Sequence, residues 1–124
     1  MGNTKKILIV EDNSDLQFLF ADALKQHGYV VQTVNDGSEA LDLLKSTTFD
    51  LILLDIIMPI TDGIAFLKSY TPQITDPKPK IVLLTNFAYQ DVLEEAAKYG
   101  VSGYLLKSDI TPALLSESVD RYLA

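Results

Sequence analysis

The stretch Phe49-Asp50-Leu51-Ile52-Leu53-Leu54-Asp55 constrains this chain more than any other. An unbroken aliphatic run leaves no polar face, so it reads as a strand buried on both sides, as in the middle of a parallel sheet. The residue that ends it is a carboxylate. In an open α/β sheet the ligand crevice lies just past the carboxyl ends of the strands, which puts Asp55 where chemistry takes place. A lone acid at such a point more often caps a helix or satisfies a loop, so the other strand ends decide its meaning.

Ile7-Leu8-Ile9-Val10 predicts a first strand that stops at Glu11-Asp12. Asn13 or Ser14 can cap the helix that follows, whose Leu16, Leu19, Phe20, Ala23 and Leu24 fall at helical spacing before Gly28. His27, in its last turn, reads as a partner of the helix dipole rather than a phosphoryl carrier. Tyr29–Val34 predicts a second strand and Glu39 to about Ser46 a second helix, after which the third strand carries the chain to Asp55. Asp62-Gly63 opens a third helix, and the proline-rich segment 71–79 is an extended connector. Lys80–Leu84 is a fourth strand ending at Thr85-Asn86, Tyr89–Tyr99 a fourth helix, and Ser102–Leu106 a fifth strand ending at Lys107. Thr111-Pro112 supplies an N-cap and a proline at the first position of the last helix.

Strict alternation of strand and helix predicts a parallel sheet with right-handed crossovers and helices on both faces. At 124 residues the chain is expected to form one domain over 1–124, with no output domain. A net charge of −7 disfavours nucleic acid and anionic membrane, and the linear sequence contains no Lys/Arg cluster. Without cysteine, thiol chemistry and thiolate metal sites are excluded. The few apolar residues before Glu11 are too short a run for a signal peptide or membrane span, so a soluble cytoplasmic protein is expected.

Glu11, Asp12, Asp55, Thr85 and Lys107 therefore gather on one sheet edge. Three crowded carboxylates repel unless a cation lies among them, and Mg²⁺ suits oxygen ligands and a shared phosphate. An ammonium and a hydroxyl suit the oxygens of a phosphoryl group in transfer, with Asp55 as nucleophile. The acid pair in Ile9-Val10-Glu11-Asp12-Asn13, the Asp55 strand with Met58-Pro59 and Asp62-Gly63, Thr85, Tyr104 and Lys107 together closely resemble the receiver domain of bacterial two-component response regulators.

The resemblance covers essentially the whole chain. It implies a doubly wound, flavodoxin-like five-stranded sheet in the order 2-1-3-4-5. Asp55 would accept a phosphoryl group from a sensor histidine kinase or phosphotransfer protein, and the domain would promote its own phosphorylation and dephosphorylation without being an enzyme in the ordinary sense. Glu11, Asp12, Asp55 and the Ile57 carbonyl would bind Mg²⁺, and Lys107 would contact the phosphoryl group. Thr85 and Tyr104 would form the switch, reshaping the face of the fourth helix, fifth strand and fifth helix for a downstream protein target. A phosphorylation-dependent dimer is compatible with this scheme.

Three positions depart from the family pattern, of which Asn13 after the acid pair is unremarkable. Asn86 replaces a very small residue and bears on the dephosphorylation rate, and Ser108 replaces proline. Without proline the Lys107-Ser108 bond is expected trans, because cis would cost about 3 to 4 kcal/mol, with residues 108–111 adjusting so that Lys107 still reaches Asp55. Competing readings fare worse. A haloacid-dehalogenase-type phosphohydrolase needs a second Asp where Ile57 stands, and a flavodoxin-like carrier needs a phosphate loop where Glu11-Asp12 would repel it. A degenerate receiver acting as a phosphorylation-independent adaptor would not need the intact acid, Thr and Lys set.

Overall fold

The computed structural model describes residues 4–56, 62–71, 78–86 and 90–124. Strands β1 (Lys6–Val10), β2 (Val30–Val34), β3 (Leu51–Asp55), β4 (Lys80–Thr85) and β5 (Gly103–Leu106) alternate with helices α1 (Ser14–Gln26), α2 (Gly37–Leu44), α3 (Gly63–Tyr70), α4 (Gln90–Ala97) and α5 (Pro112–Leu123). All neighbouring strands are parallel, in the order β2-β1-β3-β4-β5. This is the expected doubly wound sheet.

The period of two along each strand divides the core into two layers. Leu8, Val10, Ile52, Leu54, Ile81 and Leu83 pack with Ala40, Phe66, Leu67 and Ala96 from α2, α3 and α4. Ile7, Ile9, Leu51, Leu53, Val82 and Leu84 pack with Phe20, Ala21, Leu24, Leu115 and Val119 from α1 and α5. All five residues of β3 are buried, which is why its sequence lacks an alternating polar face.

Local chemistry sets the element ends. Asn13, Asp36, Asp62 and Thr111 each place a side-chain oxygen on a backbone N–H of the first turn of α1, α2, α3 and α5. The Asp36 cap starts α2 at Gly37, two residues before the sequence expectation, and the helix ends at Leu44 rather than near Ser46. Gly28 and Gly100 adopt φ of 98° and 79° after α1 and α4, the left-handed turn for which glycine is suited. The expected start of the fourth helix at Tyr89 lies outside the described residues, and α4 is described from Gln90. At the opening edge of the sheet, Lys5, Lys78 and Lys80 border one concavity with Phe49, Asp50 and Tyr122. That grouping of cations arises from strand alignment and is invisible in the linear sequence.

Candidate functional site

Parallel pairing delivers the strand ends to one place. Val10 pairs with Leu54, Asp55 with Leu84, and Thr85 with Leu106, so Glu11, Asp55, Thr85 and Lys107 emerge side by side. With Asp12, Asn13, Leu16 and Asn86 they line a cavity of about 270 Å³. Of the residues expected from sequence, Glu11, Asp12, Asp55, Thr85 and Lys107 are thus brought together. Ile57 lies outside the described residues, as do Met58 and Pro59. Tyr104 stands apart on β5, 42% exposed, beside an apolar cleft bordered by Leu83, Leu93, Ala97, Val101 and Gly103.

Glu11 is fully buried and Asp55 only 3% exposed, whereas Asp12 is exposed. One carboxylate oxygen from each lies within 4.8 Å of the others. Lys107 Nζ donates to Asp55 Oδ2 at 3.1 Å and forms an ion pair with Glu11 Oε1 at 2.7 Å. Glu11 Oε2 accepts the Asn13 N–H at 3.0 Å. Lys107 begins a 3₁₀ turn over Lys107–Asp109, and the expectation that it reaches Asp55 without a following proline holds. Burial alone would lower the pKa of its ammonium, but contact with Glu11 and the charge of Asp55 outweigh burial and hold it above its usual value. Lys107 is therefore a fixed cation.

Among the described residues, one ammonium against three carboxylates leaves two formal negative charges at the site. Glu11 Oε1, buried and ion-paired with Lys107, retains lone-pair capacity. An all-oxygen donor set of this charge fits a hard divalent cation such as Mg²⁺, which takes one or two carboxylates and completes its octahedron with water or phosphate oxygens.

Sequence reasoning missed the residues that hold the strand ends in register. Gln17 on α1 donates to the carbonyls of Glu11 and Val34, yet in the sequence it resembles any polar residue on a solvated helix face. Gly63 opens α3 with its N–H 2.7 Å from the Ile56 carbonyl, and a Cβ there would lie 2.7 Å from Ile56 Cα and 3.0 Å from the Asp55 carbonyl oxygen. Asp62-Gly63 is legible in the sequence as a helix start and as part of the family pattern, but the close approach to the Asp55 strand end is not.

The response regulator receiver domain family model matches residues 7–120. Chemotaxis protein CheY-3 of Vibrio cholerae is 33% identical over 122 residues, covering 98% of this chain and 93% of that protein. Transcriptional regulatory protein PdtaR of Mycobacterium tuberculosis is 34% identical over 115 residues, 89% of this chain but 55% of that protein, so the chain spans about half the length of this relative. Among solved structures, the chemotaxis protein CheY4 of Vibrio cholerae superposes with a TM-score of 0.89 at 29% identity, over 96% of this chain and 98% of that one.

Proposed function

The chain belongs to the response regulator receiver domain family, a family of signalling domains, and we propose that it works by accepting a phosphoryl group on Asp55. The observation that carries this reading is the buried Asp55 carboxylate at the end of the central strand, 3.1 Å from Lys107 and among two further acids. An Asp55 carboxylate oxygen attacks the phosphorus of a phosphohistidine on a sensor kinase or phosphotransfer protein. The phosphorus–nitrogen bond breaks, its electron pair stays on the imidazole, and the aspartyl phosphate forms. Bound Mg²⁺ would screen the phosphoryl oxygens from the acids, with Glu11, Asp12 and Asp55 as its protein ligands together with the Ile57 carbonyl. Lys107 offers its ammonium to another phosphoryl oxygen.

The new charge then propagates. Thr85, at the end of β4, moves toward the phosphoryl group, and Tyr104 turns from solvent toward the apolar cleft beside it. The α4–β5–α5 face changes shape and binds a downstream protein. Asn86 borders the same cavity, so its carboxamide bears on how fast water reaches the acyl phosphate.

Incubation with acetyl phosphate and Mg²⁺, followed by intact mass, tests the reading. One phosphoryl group is expected, lost in base and absent from Asp55→Asn. Modification that persists in Asp55→Asn, or none in the wild type, refutes it.

A further inference from the structure

Gln17 lies in α1 one turn past the acid pair. Its Nε2 is 2.9 Å from the Glu11 carbonyl oxygen, 3.1 Å from the Val34 carbonyl oxygen and 3.2 Å from Asn35 Oδ1. These acceptors fix the orientation of the carboxamide, because the reversed one would set oxygen against two carbonyls. Val34 O also accepts the Glu11 N–H at 3.1 Å. Gln17 therefore clasps the ends of β1 and β2 just where their ladder stops. Asn35 is held from its far side by Glu39, whose Oε1 accepts the Asn35 N–H at 3.0 Å.

The Glu11 carbonyl belongs to the peptide unit that joins Glu11 to Asp12. A donor on that oxygen fixes the plane of the unit and with it the direction in which Asp12 leaves the backbone. Glu11 has other restraints, from Asn13 and Lys107. Asp12 is exposed, and among the described residues its carboxylate makes no hydrogen bond or ion pair, so its aim depends on the backbone. Mg²⁺ demands near-ideal octahedral geometry and penalises a ligand that wanders.

We propose that Gln17 is a positioning residue for the divalent cation, its carboxamide pinning the Glu11–Asp12 peptide so that the Asp12 carboxylate is aimed into the site. This rests on the metal-assisted reading above and goes beyond it in naming a residue outside the ligand set. It also gives the β2–α2 corner, which contributes no ligand, a part in the site through Asn35 and Glu39.

Gln17→Met keeps the length of the side chain and removes the donor. Groups that orient metal ligands commonly matter tenfold or more, so the dissociation constant for Mg²⁺, measured calorimetrically, should rise about tenfold. The Mg²⁺ concentration giving half-maximal phosphorylation by acetyl phosphate should rise by the same factor, while the rate at saturating Mg²⁺ stays near that of the wild type. Val119→Ala, which opens a hole in the core beneath α5, should lower stability and leave Mg²⁺ affinity unchanged. An unchanged dissociation constant in Gln17→Met, or an equal rise in Val119→Ala, overturns the positioning role alone. A wild-type protein that binds no Mg²⁺ overturns the metal reading and this inference together.

Discussion

Asp120 on α5 accepts a hydrogen bond from the Tyr29 hydroxyl and lies 2.8 Å from His27 Nε2, while Asp55 accepts one from Lys107 at 3.1 Å. Each carboxylate thus bridges distant parts of the chain. Their surroundings differ in kind. The Asp120 side chain is 46% exposed and has its donors to itself, so its contacts satisfy it and fasten the end of α1 and the start of β2 to α5. The Asp55 side chain is 5% exposed and shares the Lys107 ammonium with Glu11, with Asp12 close by. A satisfied, solvated carboxylate is a fastening. A buried one that shares an ammonium with a second acid, beside a third, is suited to a cation and a phosphoryl group.

The sharpest way to break this comparison is to remove the cation. Lys107→Ala removes the ammonium that the buried Glu11 and Asp55 carboxylates share and should lose roughly 3 kcal/mol of stability in Mg²⁺-free buffer, the scale of a broken buried pair. Added Mg²⁺ should restore much of the loss, read as a shift in the denaturant midpoint. A loss indifferent to Mg²⁺ would mean that the pocket does not call for positive charge.

Gly63→Ala comes next. Its Cβ would press on the Asp55 carbonyl oxygen and Ile56 Cα, backbone that cannot rotate away, at a cost of roughly 2 kcal/mol. Phosphorylation should slow as the Asp55 strand end shifts. A melting temperature and phosphorylation rate both equal to the wild type's would show that the backbone there is not constrained.

The Asp120 cluster should yield the smallest effect. Asp120→Asn should cost less than about 1 kcal/mol, because exposed pairs contribute little, and should leave phosphorylation untouched. Its pH dependence has a definite sign. Hydrogen bonds from Tyr29 and then His27 hold the Asp120 carboxyl below its usual value of 3.8, so the stability it contributes is present above that value and is lost as pH falls through the lower folded one. Burial, then the Asp120 hydrogen bond and charge, push the Tyr29 hydroxyl from 10.0 up to about 12. That contribution is present below pH 10 and is lost as pH rises toward 12. Denaturation of Tyr29→Phe beside the wild type should reveal the alkaline difference, and identical profiles would contradict it.

The two regions also differ in how far the sequence disclosed them. Continuous aliphatic runs such as Leu51–Leu54 can be buried only in a covered parallel sheet, and the site residues sit at the ends of those runs, so the location of the acid cluster followed from strand boundaries. The strand order came with the resemblance. Contacts between side chains far apart in the chain were not legible, because nothing local marks them. Tyr29 and Asp120 are 91 positions apart, and in the sequence alone His27 reads only as a partner of the helix dipole. The family resemblance places Lys107 on Asp55 and the phosphoryl group, while its shorter contact to Glu11 depends on the turn after β5. Gln17 was unreadable for the same reason, since only the parallel arrival of β1 and β2 puts two carbonyls within its reach.

The most direct test of Asp55 as acceptor is chemical trapping. Borohydride reduces an acyl phosphate, so protein treated with acetyl phosphate and Mg²⁺, reduced and digested, should carry homoserine in place of Asp55 and nowhere else. Reduction at Glu11, Asp12 or Asp120 instead, or phosphate recovered on His27 or a hydroxyl residue with Asp55 intact, would contradict the account.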